Sequence, residues 1–348
     1  MEKDWLAKGV QWFIYLLAIA FSLFHLWIAG PGIMSMAAAR HIHLILSMSL
    51  VFLVFPLSKK EPRHWTFFVD VTLIILGVAG DIYLEIKEVY KMTSQKLKRI
   101  GLVGCGVIGS YIAKAATQLG FAKVDFVYDE NREQCQKVPG AAPLEKSSDI
   151  GSREVDLVIE AATEKAVREI APQVLVKGNL LIFSVTGLAD DDFRKSLQEL
   201  CKENNTRLYI PHGAILGLDG IYDGRSVIEE VTITTTKSPK SLGVEETANG
   251  VLYDGPTRGA CKLFPRNVNV HAALAVVGLG FDRTRSIVVA DPKTSQMAHE
   301  IHVKGAGLEW NIRISSRSLG GVTGSYTPES AAMTVRRILA NDYDIVLA

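Results

Sequence analysis

The residues of this 348-residue chain that have the types and spacing for chemistry begin with a glycine turn. Gly104, Gly106 and Gly109 stand in Gly-x-Gly-x-x-Gly order within RIGLVGCGVIGSYIAKAATQLG (99–120). In that order the glycines serve separate ends: a tight turn, backbone close enough to touch a pyrophosphate, and close packing of helix on strand. Val107 and Ile108 open the following helix, whose unpaired N–H groups and positive dipole end suit a phosphate. Asp129 ends the next apolar run, where a carboxylate accepts both ribose hydroxyls and repels a 2′-phosphate. NAD is the expected dinucleotide, and Arg132 nearby keeps NADP open.

Histidines and asparagines form the second set. In QMAHEIHV (296–303) the period of two puts Met297, His299, Ile301 and Val303 on one face. Ala298, Glu300, His302 and Lys304 take the other, so His302 is solvated. His299 falls on the apolar face, where it reads either as a hydrogen-bonded core histidine or as an acid–base group. Asn267 and Asn269 open an apolar helix, as caps or, uncapped, as partners for a carboxamide or carboxylate. His271 lies inside that helix and reads as structural, whereas His212 and Ala214 follow a strand end, where backbone groups meet a nicotinamide amide.

The elements that must position these residues divide the chain. Apolar strands at 100–103, 123–128, 156–161, 180–185 and 207–210 alternate with helices, among them TEKAVREIAPQVL behind Thr163 and TGLADDDFRKSLQELCKENN. That alternation specifies an α/β fold, a Rossmann-type doubly wound parallel sheet. Ligands bind at the carboxyl ends of such strands, which marks Ala161, Ala162, Thr186, Gly187 and 211–220. Beyond these, alternating β-branched strands at 227–236, 284–290, 297–303 and 311–316, with a helix over 267–279, form a smaller α+β substrate domain. A last helix, 327–341, starts at Thr327 and Pro328 and returns to the nucleotide domain. The expected bounds are 97–218 plus 322–348 for the dinucleotide-binding domain and 219–321 for the substrate domain.

An α-helical, membrane-like segment, 1–96, comes first. The apolar runs 12–29, 43–57 and 65–86 predict two or three transmembrane helices, with 87–98 as linker. The charge-balanced leader MEKDWLAK and the length of the first run argue against a signal peptide. A membrane anchor with the catalytic part in the cytoplasm is expected. A net charge of +1 gives no reason to expect nucleic acid. The 4 cysteines are far apart, which excludes a metal site of the paired-cysteine kind and a disulfide framework. Cys105 reads as small filler in the glycine turn.

From about residue 98 to its end the chain resembles the L-aspartate dehydrogenases. The likeness rests on the ordered set GLVGCGVIG, IEAAT, PHGAILGLD, FPRNVNV, GLGFDRT and ADPKTSQMAHEIHV. It implies NAD(P)-dependent oxidation of L-aspartate through iminoaspartate to oxaloacetate and ammonia, or the reverse, in a homodimer that supplies iminoaspartate for NAD biosynthesis. It carries the family's catalytic histidine onto His299 and its cofactor contacts onto Ala214 and Asn269. His212, where many relatives have serine, and the membrane-like front depart from the family. Residues 34–90 resemble instead the start of the fused membrane subunit of tripartite ATP-independent periplasmic (TRAP) transporters, through AARHIHLILSMSLVFLVFPL, Asp70 and Tyr83. That likeness implies an anchor or fusion relic without transport activity.

A histidine titrating near neutrality takes a proton from the water that attacks the imine and returns it to the leaving ammonia. Two substrate carboxylates require cations, for which Lys262, Arg266 and Arg283 are the candidates, with Asn267 and His212 as further contacts. Another amino-acid or imine reductase is the nearest competing reading. A membrane-tethered nucleotide-sensing module of the potassium-channel kind needs a filter such as T-V-G-Y-G, and the sequence has none.

Overall fold

The computed structural model describes residues 97–319 and 323–339, with scattered positions between 12 and 83. The chain divides into two units, Met1–Lys96 with Tyr343–Ala348, and Leu97–Asp342. In the first, residues 19–27 are helical. No helix among the described residues is long and apolar enough to cross a membrane. The expected spans 12–29, 43–57 and 65–86 and the linker 87–98 lie largely outside the described residues.

The second unit opens with β1 (Lys98–Val103), α1 (Val107–Gln118), β2 (Ala122–Tyr128), the short β3 (Ala142–Pro143) and β4 (Leu157–Glu160). It continues with α2 (Glu164–Leu175), β5 (Leu180–Ile182), α3 (Asp191–Asn204) and β6 (Leu208–Tyr209). All six strands are parallel, in the order β3-β2-β1-β4-β5-β6. This is the doubly wound order expected, with its switch point between β1 and β4. Ile100, Leu102, Leu157 and Ile159 are fully buried, as strands covered on both faces require. Thr163 starts α2 by accepting from the Ala166 N–H at 3.2 Å.

One helix begins later than its sequence suggests. Residues Val185–Ala189 form a separate 3-10 turn, and α3 starts at Asp191. Asn269 Oδ1 accepts from the N–H of Thr186, and the Thr186 hydroxyl donates to the Pro265 carbonyl, so tertiary contacts hold this turn. Asp190 then caps α3 through the N–H groups of Asp192 and Phe193.

The rest comprises α4 (Leu218–Gly224), β7 (Ile228–Lys237), β8 (Gly250–Pro256), α5 (Thr257–Leu263), α6 (Asn269–Val277), β9 (Arg285–Ala290), β10 (Gln296–Gly305), β11 (Leu308–Arg317) and α7 (Tyr326–Leu339). The second sheet has the order β11-β10-β7-β9-β8; β7 and β9 are parallel and the other pairs antiparallel. Strand β8 has no expected counterpart. GVLYDGP lacks alternation and contains glycines and a proline, which an edge strand with a register slip between Val251 and Tyr253 accommodates. Val231, Ile233, Ile301 and Val303 pack on Ile221 of α4 and Leu274 of α6. Helix α7 returns to the first sheet, where Ala331 and Val335 share a core with Ile112 of α1 and Leu102 of β1.

Candidate active site

A cavity of about 610 Å³ is lined from both sheets. The parallel sheet supplies Gly106, Val107 and Ile108, with Ala161 and Ala162 from the loop after β4. From beyond β6 come Ala214 and, near the start of α6, Arg266, Asn267 and Asn269; β7 and β10 add Lys237 and His299. The residues that follow β1, β4 and β6 lie at the carboxyl ends of the parallel strands, where a doubly wound sheet binds its ligand.

The glycines behave as their spacing requires. Gly104 has φ +94°, and a Cβ there would lie 2.6 Å from the Ala161 carbonyl. A Cβ on Gly109 would sit 1.9 Å from the Gly104 carbonyl oxygen, so only glycine lets α1 approach the turn. At Gly106 a Cβ would meet no protein atom within 4 Å. Its missing side chain therefore clears space on the cavity side, as close approach to a pyrophosphate demands. No side chain caps α1, and no acidic residue occupies its first turn. The residues present fit a dinucleotide.

Asp129 is tied to this turn: its Oδ2 accepts from the Cys105 N–H at 2.8 Å and its Oδ1 from the Asn131 N–H at 2.9 Å. Each oxygen keeps a further lone pair for a ribose hydroxyl. Arg132 pairs with Glu145. Cys105 is buried, and burial pushes its thiol up, consistent with filler. Glu160, at the end of β4, is fully buried and has its carboxyl raised by burial. It accepts from the N–H groups of Ala162 at 2.7 Å and Ser184 at 3.0 Å and from the Ser184 hydroxyl at 2.8 Å, joining two loops of the cavity wall.

On the opposite wall His299 is 5% exposed, and its Nδ1 lies 2.8 Å from Thr235 Oγ1, its register partner on β7. Burial, with the Lys237 ammonium second, lowers the His299 pKa to about 3. The pocket thus holds His299 below histidine's ordinary, near-neutral value. His302 sits on the other face, 2.5 Å from Asn311 Oδ1. His271 is fully buried, between Thr235 Oγ1 at 2.6 Å and Ser286 Oγ at 2.9 Å.

Neither asparagine caps α6, whose N-cap is Val268 without a side-chain bond. Asn269 Oδ1 accepts from the Thr186 N–H at 3.2 Å. Asn267 Oδ1 accepts from Lys237 Nζ at 3.3 Å, and its Nδ2 donates to the Leu242 carbonyl at 3.2 Å.

The family model described as "Aspartate dehydrogenase, C-terminal" matches residues 221–338, and "Homoserine dehydrogenase, NAD binding domain" matches 104–211. An L-aspartate dehydrogenase of Nitrosopumilus maritimus is 34% identical over 270 residues, which span 72% of this chain and 99% of the relative. The chain belongs to the L-aspartate dehydrogenase family. A relative from Methanothermobacter thermautotrophicus, also an L-aspartate dehydrogenase, is 36% identical over 66% of this chain and 93% of its own. The crystal structure of aspartate dehydrogenase from Thermotoga maritima superposes with a TM-score of 0.59 at 27% identity, over 72% of this chain and 99% of that one. The match to the NAD-binding family model begins at Gly104, the first glycine of the turn. The TRAP-like stretch 34–90 lies largely outside the described residues, and both family matches begin at or after residue 104.

Several expected contacts of this family member are absent from the cavity wall. His212 turns Nδ1 to the Ile215 carbonyl at 2.9 Å and is not among the lining residues. Lys262 points to solvent from the exposed side of α5, and Arg283 directs a nitrogen toward the Glu229 carbonyl at 3.5 Å. Of the three expected cations only Arg266 lines the cavity. Sequence reasoning missed Lys237, which is 3% exposed, lines the cavity and has its pKa lowered to about 8 by burial. The signal was present: in VIEEVTITTTK, Lys237 is in phase with Val231, Ile233 and Thr235 on the buried face.

Proposed function

We propose that this chain catalyses NAD(P)-dependent oxidation of L-aspartate, through iminoaspartate, to oxaloacetate and ammonia, and the reverse amination. The observation that carries the reading is the buried His299 on a cavity wall opposite the glycine turn, in a chain that spans 99% of an L-aspartate dehydrogenase. Bound NAD supplies the hydride acceptor. Gly106, Val107 and Ile108 hold its phosphates, Asp129 its ribose, and Ala161, Ala162, Ala214 and Asn269 the nicotinamide half of the cleft.

Lys237 and Arg266 provide the positive charge for two carboxylates, which excludes amino acids with apolar side chains. Asn267 fixes the Lys237 ammonium. His299 takes a proton from the water that attacks the imine carbon and delivers it to the departing ammonia. A carboxylate against Lys237 offsets the charge that helps to hold His299 low, so substrate raises the basicity of its own catalyst. Homodimer assembly and a membrane tether through 12–86 belong to the same proposal, supported by the family likeness and by the apolar runs.

The test is NADH formation by the purified full chain with L-aspartate, set against L-alanine, L-asparagine and L-glutamate, and the reverse assay with oxaloacetate and ammonia. Activity with aspartate in one direction and oxaloacetate plus ammonia in the other supports the proposal. Equal rates with alanine sink it.

A further inference from the structure

Behind His299 runs a chain of hydrogen bonds whose direction can be read from the proton inventory of its members. Each hydroxyl in it has one proton, each neutral imidazole one, and a carbonyl has none. The far end is the backbone carbonyl of Thr284, which only accepts. The Thr257 hydroxyl therefore donates to it, at 3.0 Å. With that proton committed, Thr257 Oγ1 accepts from the Ser286 hydroxyl at 2.7 Å. Ser286 Oγ must then accept from His271 Nδ1–H at 2.9 Å. His271 is fully buried with both ring nitrogens on hydroxyls and is neutral there, so its Nε2 is bare. It accepts from the Thr235 hydroxyl at 2.6 Å. Thr235 Oγ1, its own proton spent, accepts from His299 Nδ1–H at 2.8 Å.

We infer that Thr235, His271, Ser286 and Thr257 are positioning residues that hold neutral His299 as its Nδ1–H tautomer and leave Nε2 bare for the cavity. This rests on the reading of His299 as the acid–base group of aspartate oxidation. The relay has one polarity. In the opposite tautomer every bond reverses, and Thr257 Oγ1 is left facing the Thr284 carbonyl oxygen without a proton between them. The polarity also suits both states of the catalyst. Protonation of Nε2 leaves Nδ1–H donating to Thr235 as before, so His299 accepts and returns a proton without any other group in the chain turning. The members come from β7, α5, α6, β9 and β10, so the second sheet and its covering helices are locked around one imidazole edge.

The experiment uses the full chain labelled with ¹⁵N-histidine, with His299 assigned by loss of its signals in His299→Gln. Imidazole ¹⁵N shifts and long-range ¹H–¹⁵N couplings read the tautomer in the ligand-free protein, whether or not aspartate turns over. The native protein should have His299 as Nδ1–H. Thr235→Val, which keeps the shape and removes the hydroxyl, should give a mixture of tautomers. It should lower kcat for aspartate roughly ten- to hundredfold, the usual worth of an outer partner that orients a histidine, without changing NADH affinity. Thr257→Val acts from the other end of the relay, distant from the cavity, and should move the tautomer the same way. Thr235→Ser should recover both the tautomer and kcat. An Nε2–H tautomer in the native protein overturns the inference, and so does a Thr235→Val protein with native tautomer and native kcat. A native protein with the Nδ1–H tautomer and no aspartate activity sinks the proposed function but not the relay.

Discussion

Lys237 donates from Nζ to Asn267 Oδ1 over 3.3 Å, and this buried pair stands on the same cavity wall as His299. Burial first and the Lys237 ammonium second hold the His299 pKa low, and a carboxylate placed against Lys237 would offset the second of these.

Lys237→Met should raise KM for aspartate roughly ten- to hundredfold, the worth of a charged hydrogen bond, and leave NADH affinity unchanged. Burial lowers the Lys237 pKa to about 8, so the ammonium loses its proton as pH rises past that value. The inhibition constant of succinate, a dicarboxylate without an amine, should accordingly worsen through the same range, and Lys237→Met should lose that dependence. Unchanged succinate inhibition in the variant removes Lys237 from the substrate site.

His299→Ala should cut kcat by roughly two to four orders of magnitude, and His302→Ala should be nearly silent. The acid limb of kcat/KM, which reports the free enzyme, should lie well below neutrality, because His299 starts at about 3. In kcat, with the carboxylates bound, that limb should shift upward. A dead His302→Ala enzyme beside a normal His299→Ala one reverses the assignment.

Stability should also depend on these histidines. Both His299 and His271 have folded pKa values depressed below 6.5, with His299 at about 3. The unfolded chain therefore binds more protons in the interval between. Their contribution is fully present above about 6.5 and is lost as pH falls toward 3. Urea melts at several pH values should show the decline, with a shallower slope in His299→Gln. An equal slope in that variant assigns the acid lability elsewhere.

Asp129→Ala should weaken NAD more than NADP, because only NAD offers both ribose hydroxyls to the carboxylate. Some loss for both is expected, since Asp129 also holds the Cys105 N–H of the glycine turn. Cofactor titrations by NADH and NADPH fluorescence check the ratio; equal losses mean that Asp129 serves the turn alone.

A protein that starts at Gln95 should be soluble and retain native kcat and KM, since the unit Leu97–Asp342 contains every residue assigned above. A folded but inactive shortened protein assigns the front segment a part in the site or in assembly.

What the sequence determined by itself was local. Gly104, Gly106 and Gly109 are legible because the turn needs them for backbone reasons, within a few residues of one another. The face of His299 followed from strand alternation, which depends only on neighbours in the chain. The tertiary structure alone decided which partners those faces meet. Thr235 joins His299 across a sequence separation of 64 and His271 across 36, and no period in the sequence links them. Asn267 and Asn269 have the composition of caps and became ligands of Lys237 and Thr186 because α6 begins against those loops. Lys262, Arg266, Arg283 and Lys237 are equally cationic in the sequence. Burial separated them: the second sheet folds Lys237 into the wall, and Lys262 is left in water, where its charge is screened.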